Sequence, residues 1–229
     1  MAPRTALVTG ASRGIGRAIV QELTRRDVRV LATGRNPDRL EALRVETGCA
    51  VRPCDLARPE EVLALYRDAR EILGSAPDIL VNNAGFYRKA PLAEASLEDF
   101  EAQYAVLLRA PFLLCREAGR DMRDRGRGHI VNVLTTCALF ANENMGIYTA
   151  MKTGLQGLTK VLVKELRPAG VKVTAVYPGG VDTDIRPASR PDYMSPATAG
   201  KLIADVLFAP DDAVIHELVF RPMAETNFP

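Results

Sequence analysis

A glycine-rich turn near the amino terminus is the feature that most constrains the fold. The apolar run at residues 4–8 leads into Thr9-Gly10-Ala11-Ser12-Arg13-Gly14-Ile15-Gly16, and helical periodicity follows over residues 17–26. A strand, a glycine turn and a helix in this order let the backbone approach a pyrophosphate, which the free N–H groups at the helix start can bind. A merely flexible turn is the alternative, but the flanking elements favour the binding turn.

Strand and helix patterns alternate along the rest of the chain. Predicted strands lie at residues 28–33, 50–54, 78–81, 129–134, 171–177 and 217–220, and predicted helices at 37–47, 59–73, 96–125, 145–166 and 195–208, with a break at Pro111. Such alternation predicts a buried parallel sheet. We expect an α/β fold: one domain over residues 1–229, a Rossmann-like doubly wound parallel sheet of about seven strands with helices on both faces.

The composition argues against several kinds of partner. Thirty basic and 28 acidic residues give a net charge of +2, which does not favour nucleic acid. No apolar run is long enough to cross a bilayer, and the amino terminus has no signal-peptide pattern. We therefore expect a cytoplasmic protein that does not bind a membrane. The cysteines and histidines show no metal-ligand spacing, which favours buried free thiols and no metal. The cysteines are Cys49, Cys54, Cys115 and Cys137.

The end of the second predicted strand indicates the kind of dinucleotide. Folds of this type usually place an acidic residue there, about 20 residues beyond the glycines, to hold the adenosine ribose hydroxyls. This chain has Gly34-Arg35 instead, and Arg13 lies in the glycine turn. With no carboxylate to repel a 2′-phosphate and two guanidinium groups to bind it, we predict a preference for NADPH over NADH.

A tyrosine and a lysine form the candidate acid–base pair. Tyr148 and Lys152 are four residues apart in a predicted helix, so their side chains lie on the same face. A neighbouring ammonium lowers the pKa of a phenol from its ordinary value of about 10, as a general acid/base needs. Alone the pair is a weak signal, since Lys152 in a chance occurrence would simply be solvated.

Four separated motifs resemble those of the short-chain dehydrogenases/reductases over nearly the whole chain. They are Thr9-Gly10-x-x-x-Gly14-x-Gly16, Asn82-Asn83-Ala84-Gly85, Tyr148-x-x-x-Lys152 and Pro178-Gly179-x-Val181-x-Thr183. The carboxy-terminal portion resembles the NADP-dependent hydroxy acid dehydrogenases and ketoreductases of this family. The resemblance implies an NADPH-dependent enzyme that reduces a ketone or aldehyde, or oxidises an alcohol, acting on a small molecule as a homotetramer or homodimer joined through the long helices.

The resemblance also implies roles for single residues. Tyr148 would be the general acid/base, Lys152 would lower its pKa and bind the nicotinamide ribose, and Thr135 stands where the family has a serine, thirteen residues before the tyrosine. The implied NADP(H)-binding residues are Gly10, Ser12, Arg13, Gly14, Ile15, Gly16, Arg35, Asp55, Leu56, Asn82, Ala84, Gly85, Tyr148, Lys152, Pro178, Gly179, Val181 and Thr183.

One departure from the family concerns the long helix. Leu107 stands where the family has an asparagine that supports a helix distortion, whose exposed backbone carbonyl holds a water in a proton relay. The Leu107 carbonyl can still serve. Leu107 and Thr135 motivate an alternative function: an NADP(H)-binding protein of this fold with weak or lost catalysis, acting as a sensor or oligomer partner.

The family's substrate wall corresponds to residues 137–147 and 184–195 of this chain. The first segment mixes Phe140 and Met145 with Asn142, which suggests a moderately polar pocket with an apolar floor. The second contains Arg186 and Arg190, which either meet a substrate carboxylate or the cofactor phosphates, or are solvated.

Overall fold

The computed structural model describes residues 4–185 and 190–226. One parallel sheet runs through them in the order β3-β2-β1-β4-β5-β6-β7. The strands are β1 (Thr5–Val8), β2 (Arg29–Gly34), β3 (Ala50–Pro53), β4 (Ile79–Asn82), β5 (Gly128–Val133), β6 (Val171–Pro178) and β7 (Glu217–Phe220). The helices are α1 (Gly14–Arg25), α2 (Pro37–Thr47), α3 (Pro59–Ile72), α4 (Leu97–Tyr104), α5 (Ala110–Arg125), α6 (Gly146–Leu166) and α7 (Pro196–Leu207). The predicted doubly wound α/β sheet is confirmed.

The strand order reverses direction at β1. The chain adds β2 and β3 on one side of β1, and then crosses to place β4 on the other side, where Ala6 pairs with Ile79. Loops that leave neighbouring strands in opposite directions open a crevice at their carboxyl ends, which is where ligands bind to sheets of this kind. The site is therefore expected between β1 and β4.

Apolar layers cover both faces of the sheet. On β1, Ala6 and Val8 pack with residues of α1, α2 and α7, whereas Leu7 between them packs with residues of α3 and α5. Side chains alternate between the faces of a strand, so a strand covered on both sides is apolar throughout. This explains why the central strands read as continuous apolar runs.

Side-chain caps and prolines fix where several helices begin. The Ser96 side chain accepts the N–H of Asp99 at the start of α4, and the Asn36 side chain accepts the N–H of Arg39 at the start of α2. The first helix begins at Gly14, three residues earlier than predicted. The end of the glycine turn is thus the first turn of α1, so its N–H groups belong to a helix terminus.

The long helix predicted over residues 96–125 is interrupted before Pro111 rather than at it. A π-helical turn (Ala105–Arg109) joins α4 to α5, and the Ala110 N–H donates to the Ala105 carbonyl, five residues back. The Val106 carbonyl therefore loses its usual donor four residues on. Pro111 has no N–H, so the Leu107 carbonyl lacks that donor as well.

Across the described ranges, none of the helices combines the length and apolarity that a membrane span requires.

Candidate active site

A cavity of about 480 Å³ follows the carboxyl edge of the sheet and brings the predicted site together. Thr135 and every predicted cofactor-binding residue except Asn82 line it. These are Gly10, Ser12, Arg13, Gly14, Ile15, Gly16, Arg35, Asp55, Leu56, Ala84, Gly85, Thr135, Tyr148, Lys152, Pro178, Gly179, Val181 and Thr183. A binding role stays a prediction for each of them, but one continuous space connects them all.

The glycine turn forms a cradle that side chains would fill. Gly10 and Gly14 have positive φ angles of 65° and 54°, which residues with a Cβ atom rarely adopt. A Cβ atom at Gly10 would lie 2.6 Å from the Ala84 Cα, and one at Gly16 would overlap the Gly10 carbonyl. The N-cap residue Arg13 makes no side-chain capping bond, so the N–H groups at the start of α1 keep their capacity to bind an anion.

Three arginines stand at the end of the cavity beside β2. Arg13 and Arg35 were predicted there, and Arg39 on the first turn of α2 joins them. The Asp184 carboxylate lies between two of them, 3.2 Å from Arg39 and 3.7 Å from Arg13. Clustered guanidinium groups bind phosphate, and a phosphate here would compete with the Asp184 carboxylate for Arg13 and Arg39. Arg39 was missed because only the helix start, four residues after Arg35, brings it to this edge.

The candidate catalytic residues line the opposite end of the cavity. The Lys152 Nζ donates to the Val133 carbonyl at 2.7 Å and lies 6.0 Å from the centre of the Tyr148 ring. Lys152 is buried, and desolvation lowers its pKa from 10.5 to about 8. The alternative in which Lys152 belongs to a chance motif and is solvated is therefore excluded. Thr135 follows Leu134 in the chain, and its hydroxyl oxygen accepts a hydrogen bond from the Cys137 N–H at 3.3 Å.

A second tyrosine stands beside Tyr148. The Tyr87 and Tyr148 rings are 5.6 Å apart at an interplanar angle of 60°, and both line the cavity. Tyr87 follows the Asn82–Gly85 motif by two residues, and that position was the signal that it belongs to the site. An aromatic wall next to the phenol gives a substrate an apolar surface to rest on.

The predicted substrate wall is present in part. Cys137, Asn142, Met145 and Ile185 line the cavity, and the Asn142 amide donates to the Cys137 sulfur at 3.1 Å. All four cysteines are free and buried, as predicted, but Cys137 in addition faces the site.

The arginines of the second wall segment fall elsewhere. Arg190 packs its guanidinium 6.0 Å from the centre of the Tyr193 ring and does not line the cavity, and Arg186 lies outside the described residues.

The placement of Asn82 differs from the prediction. Its side chain is buried beneath the site, where the amide donates to the side-chain Oδ1 of Asn132 at 2.8 Å and to the Cys115 sulfur at 3.2 Å. The neighbouring Asn83 lines the cavity instead and donates to the Thr9 carbonyl at 3.0 Å. Alternation at the end of β4 turns one asparagine into the core and the next toward the glycine turn.

The π-helical turn lies directly beside the candidate catalytic residues. Leu107 has no exposed surface and packs with Tyr148 and Met151, while Val106 lines the cavity. The helix distortion that the family supports with an asparagine therefore persists with leucine in that position. Pro111 and the shifted Ala110 bond account for it without a side-chain amide.

His129 lies away from the cavity. His129 is buried at the entry of β5, at the opposite edge from the cavity, and its ring contacts the Thr174 hydroxyl at 2.8 Å. Burial lowers the pKa of His129 to about 3. Within residues 4–185 and 190–226, His, Cys, Asp and Glu side chains form no group of three suited to a metal.

The fold and the cavity together define a class of protein. A parallel sheet with a glycine turn and a helix N-terminus at its switch point is the arrangement that binds dinucleotides. Within that class, comparison of sequences identifies the family. The family model for the short chain dehydrogenases matches residues 4–194, and the chain belongs to this family. The resemblance stated from the four motifs is confirmed.

Curated relatives match over most of the chain. An uncharacterized oxidoreductase of Staphylococcus aureus (strain N315) is 29% identical over 226 residues, which cover 96% of this chain and 97% of the relative. A 3-oxoacyl-(acyl-carrier-protein) reductase of Rickettsia bellii (strain RML369-C) is 34% identical over 184 residues, covering 80% of this chain and 74% of the relative.

Solved structures of similar proteins share the whole fold. An alcohol dehydrogenase from the archaeon Thermococcus sibiricus, complexed with 5-hydroxy-NADP, has a TM-score of 0.90 at 26% identity and 99% coverage of both chains. A metagenomic short-chain oxidoreductase in complex with NADP has a TM-score of 0.86 at 32% identity, covering 97% of this chain and 98% of the other.

Proposed function

We propose that this protein is an NADPH-dependent oxidoreductase that reduces a ketone or aldehyde and, in reverse, oxidises an alcohol. The observation that carries the proposal is a single cavity with Tyr148, Lys152 and Thr135 at one end and three arginines at the other. The spacing of the two ends along one sheet edge suits an extended dinucleotide. Similar proteins crystallised with NADP or 5-hydroxy-NADP support the choice of cofactor.

The residues present fit NADP(H). The cradle of Gly10, Gly14 and Gly16 gives a pyrophosphate close access to backbone N–H groups, and Arg13, Arg35 and Arg39 supply cations for a 2′-phosphate. When bound, NADPH supplies the hydride that reduces the carbonyl carbon. Pro178, Gly179, Val181 and Thr183 line the cavity where we place the nicotinamide.

The chain itself supplies the proton and the orientation of the carbonyl. We assign Tyr148 as the group that gives its hydroxyl proton to the carbonyl oxygen, and Thr135 as the hydroxyl that donates a hydrogen bond to the same oxygen. Lys152, a cation below about pH 8, stabilises the ionised phenol that remains. Its bond to the Val133 carbonyl holds the ammonium in place for this role.

The π-helical turn supplies a route for returning the proton. The Val106 and Leu107 carbonyls lack helical donors four residues on, and such carbonyls can each accept a hydrogen bond from a water. We assign to one of them a water that links Lys152 to solvent. Because the distortion is retained, Leu107 no longer favours the alternative function, a cofactor-binding protein that has lost catalysis.

A substrate panel tests the function. NADPH oxidation is measured against α-diketones, β-keto acids and aldehydes with wild type, Tyr148→Phe and, as a matched control, Tyr66→Phe, whose hydroxyl bonds to Asp121 away from the cavity. We expect activity in wild type and in the control and its loss in Tyr148→Phe. Silence of the wild type across the panel, with NADPH still bound, would favour the non-catalytic sensor or oligomer partner.

We further propose that the protein works in the cytoplasm, where its four free thiols stay reduced, and that it assembles as a homodimer or homotetramer through α5 and α6.

A further inference from the structure

The carboxy-terminal segment (residues 221–225) contacts the loop that follows β6. The Gly180 N–H donates to the Glu225 Oε1 at 2.9 Å, and the Glu225 N–H donates to the Pro222 carbonyl at 3.1 Å, so the segment turns its carboxylate onto the loop. The Gly179 N–H donates to the Phe220 carbonyl at 2.8 Å. The loop backbone is thus bonded to β7 and to the segment beyond it.

Close packing explains the two glycines of this loop. A Cβ atom at Gly179 would overlap the Glu225 carboxylate and lie 3.2 Å from the Arg221 Cα. A Cβ atom at Gly180 would overlap the Tyr193 ring and lie 2.9 Å from the Glu225 Oε1. The space that glycine leaves here is occupied by this chain's own side chains, so the contact is a specific fit.

The same segment also reaches the candidate substrate wall. The Arg221 guanidinium lies 4.3 Å from the centre of the Phe140 ring, in cation–π geometry. Phe140 follows Thr135 by five residues, within the segment that contributes Cys137 and Asn142 to the cavity. The carboxy-terminal segment therefore touches both loops that bound the Tyr148 end of the cavity.

We propose that Glu225 is a positioning residue of this site. Its carboxylate holds the Gly180 N–H through a charge-assisted bond, and so fixes Gly179 and Val181, which line the cavity where the nicotinamide is placed. The proposal rests on the proposed function, because it assigns Glu225 to the nicotinamide half of the NADPH site. In the described residues, Glu225 makes no hydrogen bond or ion pair with the adenosine half, which α1 and the end of β2 build.

Binding of two ligands can test the nicotinamide half and the adenosine half of the site independently. NADPH fills both halves, whereas adenosine 2′,5′-bisphosphate carries only the 2′-phosphate and adenosine part. For Glu225→Ala we expect NADPH affinity to fall about fivefold, within the range of one typical hydrogen bond, while the bisphosphate affinity changes less than about twofold. Glu225→Gln keeps an acceptor oxygen and should retain most of the affinity. Asp212→Ala removes an exposed carboxylate elsewhere and serves as the control.

The measurement is isothermal titration of both ligands, with thermal unfolding recorded for each variant. Glu225→Asp shortens the side chain by one methylene. If the alanine variant does not fold, the NADPH affinity of Glu225→Asp tests the same contact with the Gly180 N–H. Equal weakening of both ligands, or unchanged NADPH affinity in Glu225→Ala and Glu225→Asp, would overturn the proposal. Failure of the wild type to bind either ligand would instead refute the NADPH function itself, and Glu225's assignment with it.

Discussion

At the scale of single residues, Lys152 shows what the site costs the fold. Its ammonium is buried and bonds to one backbone carbonyl, and desolvation holds its pKa near 8 instead of 10.5. A shift of that size corresponds to roughly 3 kcal/mol of linked free energy. The protein keeps a buried cation beside Tyr148 because the chemistry that we propose needs a positive charge there.

Replacing this lysine should therefore stabilise the protein while abolishing activity. The folded state penalises the charged lysine below pH 8, and the penalty disappears as pH rises from about 8 to 10.5, where the folded lysine is neutral and the unfolded one is still charged. We expect Lys152→Met to raise the free energy of unfolding by about 1–3 kcal/mol at pH 7 and by much less at pH 10.5. Urea denaturation at both pH values checks this; a variant that is less stable than wild type at pH 7 would contradict it.

Arg35 decides the choice of cofactor at the other end of the cavity. Arg35→Asp replaces a phosphate partner with a repelling charge, so NADPH affinity should fall about tenfold or more while NADH affinity changes little. Arg29→Asp, which reverses a charge at the opposite end of β2, is the control. Fluorescence titration with both cofactors gives the ratio, and an unchanged preference in Arg35→Asp would show that Arg35 does not read the phosphate.

At the scale of elements, the π-helical turn is the local structure on which the proton route depends. The Ala110 N–H bonds five residues back, which defines the turn, and Pro111 has no N–H with which to restore the regular bond to Leu107. A break at Pro111 was predictable from the sequence. The family resemblance indicated a distortion in this helix, but the residues alone did not show that it would be a π-helical turn over Ala105–Arg109.

Pro111→Ala tests this element. The alanine N–H can bond to the Leu107 carbonyl and favours a regular α-helix, which removes the water site of the proposed route. We expect kcat to fall about threefold or more, with NADPH affinity unchanged, as the loss of one hydrogen-bonded step predicts. Pro59→Ala, at the first position of α3, is the matched control. Stopped-flow kinetics measure kcat in wild type, Pro111→Ala and Pro59→Ala. Equal rates in all three proteins would mean that the π-helical turn has no part in the mechanism.

Sequence reasoning was accurate where a property is local and failed where it depends on packing. The alternation of strands and helices, the four motifs and the family resemblance together placed every predicted site residue except Asn82 on the cavity wall. Asn82 was misplaced because a motif does not state which way its side chains face at a strand end. Arg39 was missed because only the folded chain brings it to the cavity edge, and Tyr87 was missed because its position two residues after the Asn82–Gly85 motif was not used.

At the scale of the whole molecule, one face of α5 and α6 is where we propose that two subunits meet. An apolar groove of about 300 Å³ lies between these helices, and Phe112 and Val161 beside it are 45% and 50% exposed. Large apolar side chains grouped on one face indicate a protein interface. A second copy of the chain is the partner that we propose.

A charge placed in this face should separate the subunits. We expect Val161→Glu to shift the wild-type oligomer to monomer at micromolar concentration, because a desolvated carboxylate in the interface costs several kcal/mol. Val45→Glu, at a valine that is 74% exposed on α2, is the control and should leave the oligomer intact. Sedimentation velocity measures the mass; a monomeric wild type would rule out this interface.

The most direct test of the whole account measures NADPH binding and carbonyl reduction in the same pair of proteins. With the best substrate of the panel, wild type should consume one NADPH for each alcohol formed, while Tyr148→Phe should bind NADPH with similar affinity and lose about 10²-fold or more in kcat. Turnover at the wild-type rate in Tyr148→Phe would contradict the account, because it would mean that the proton comes from another group.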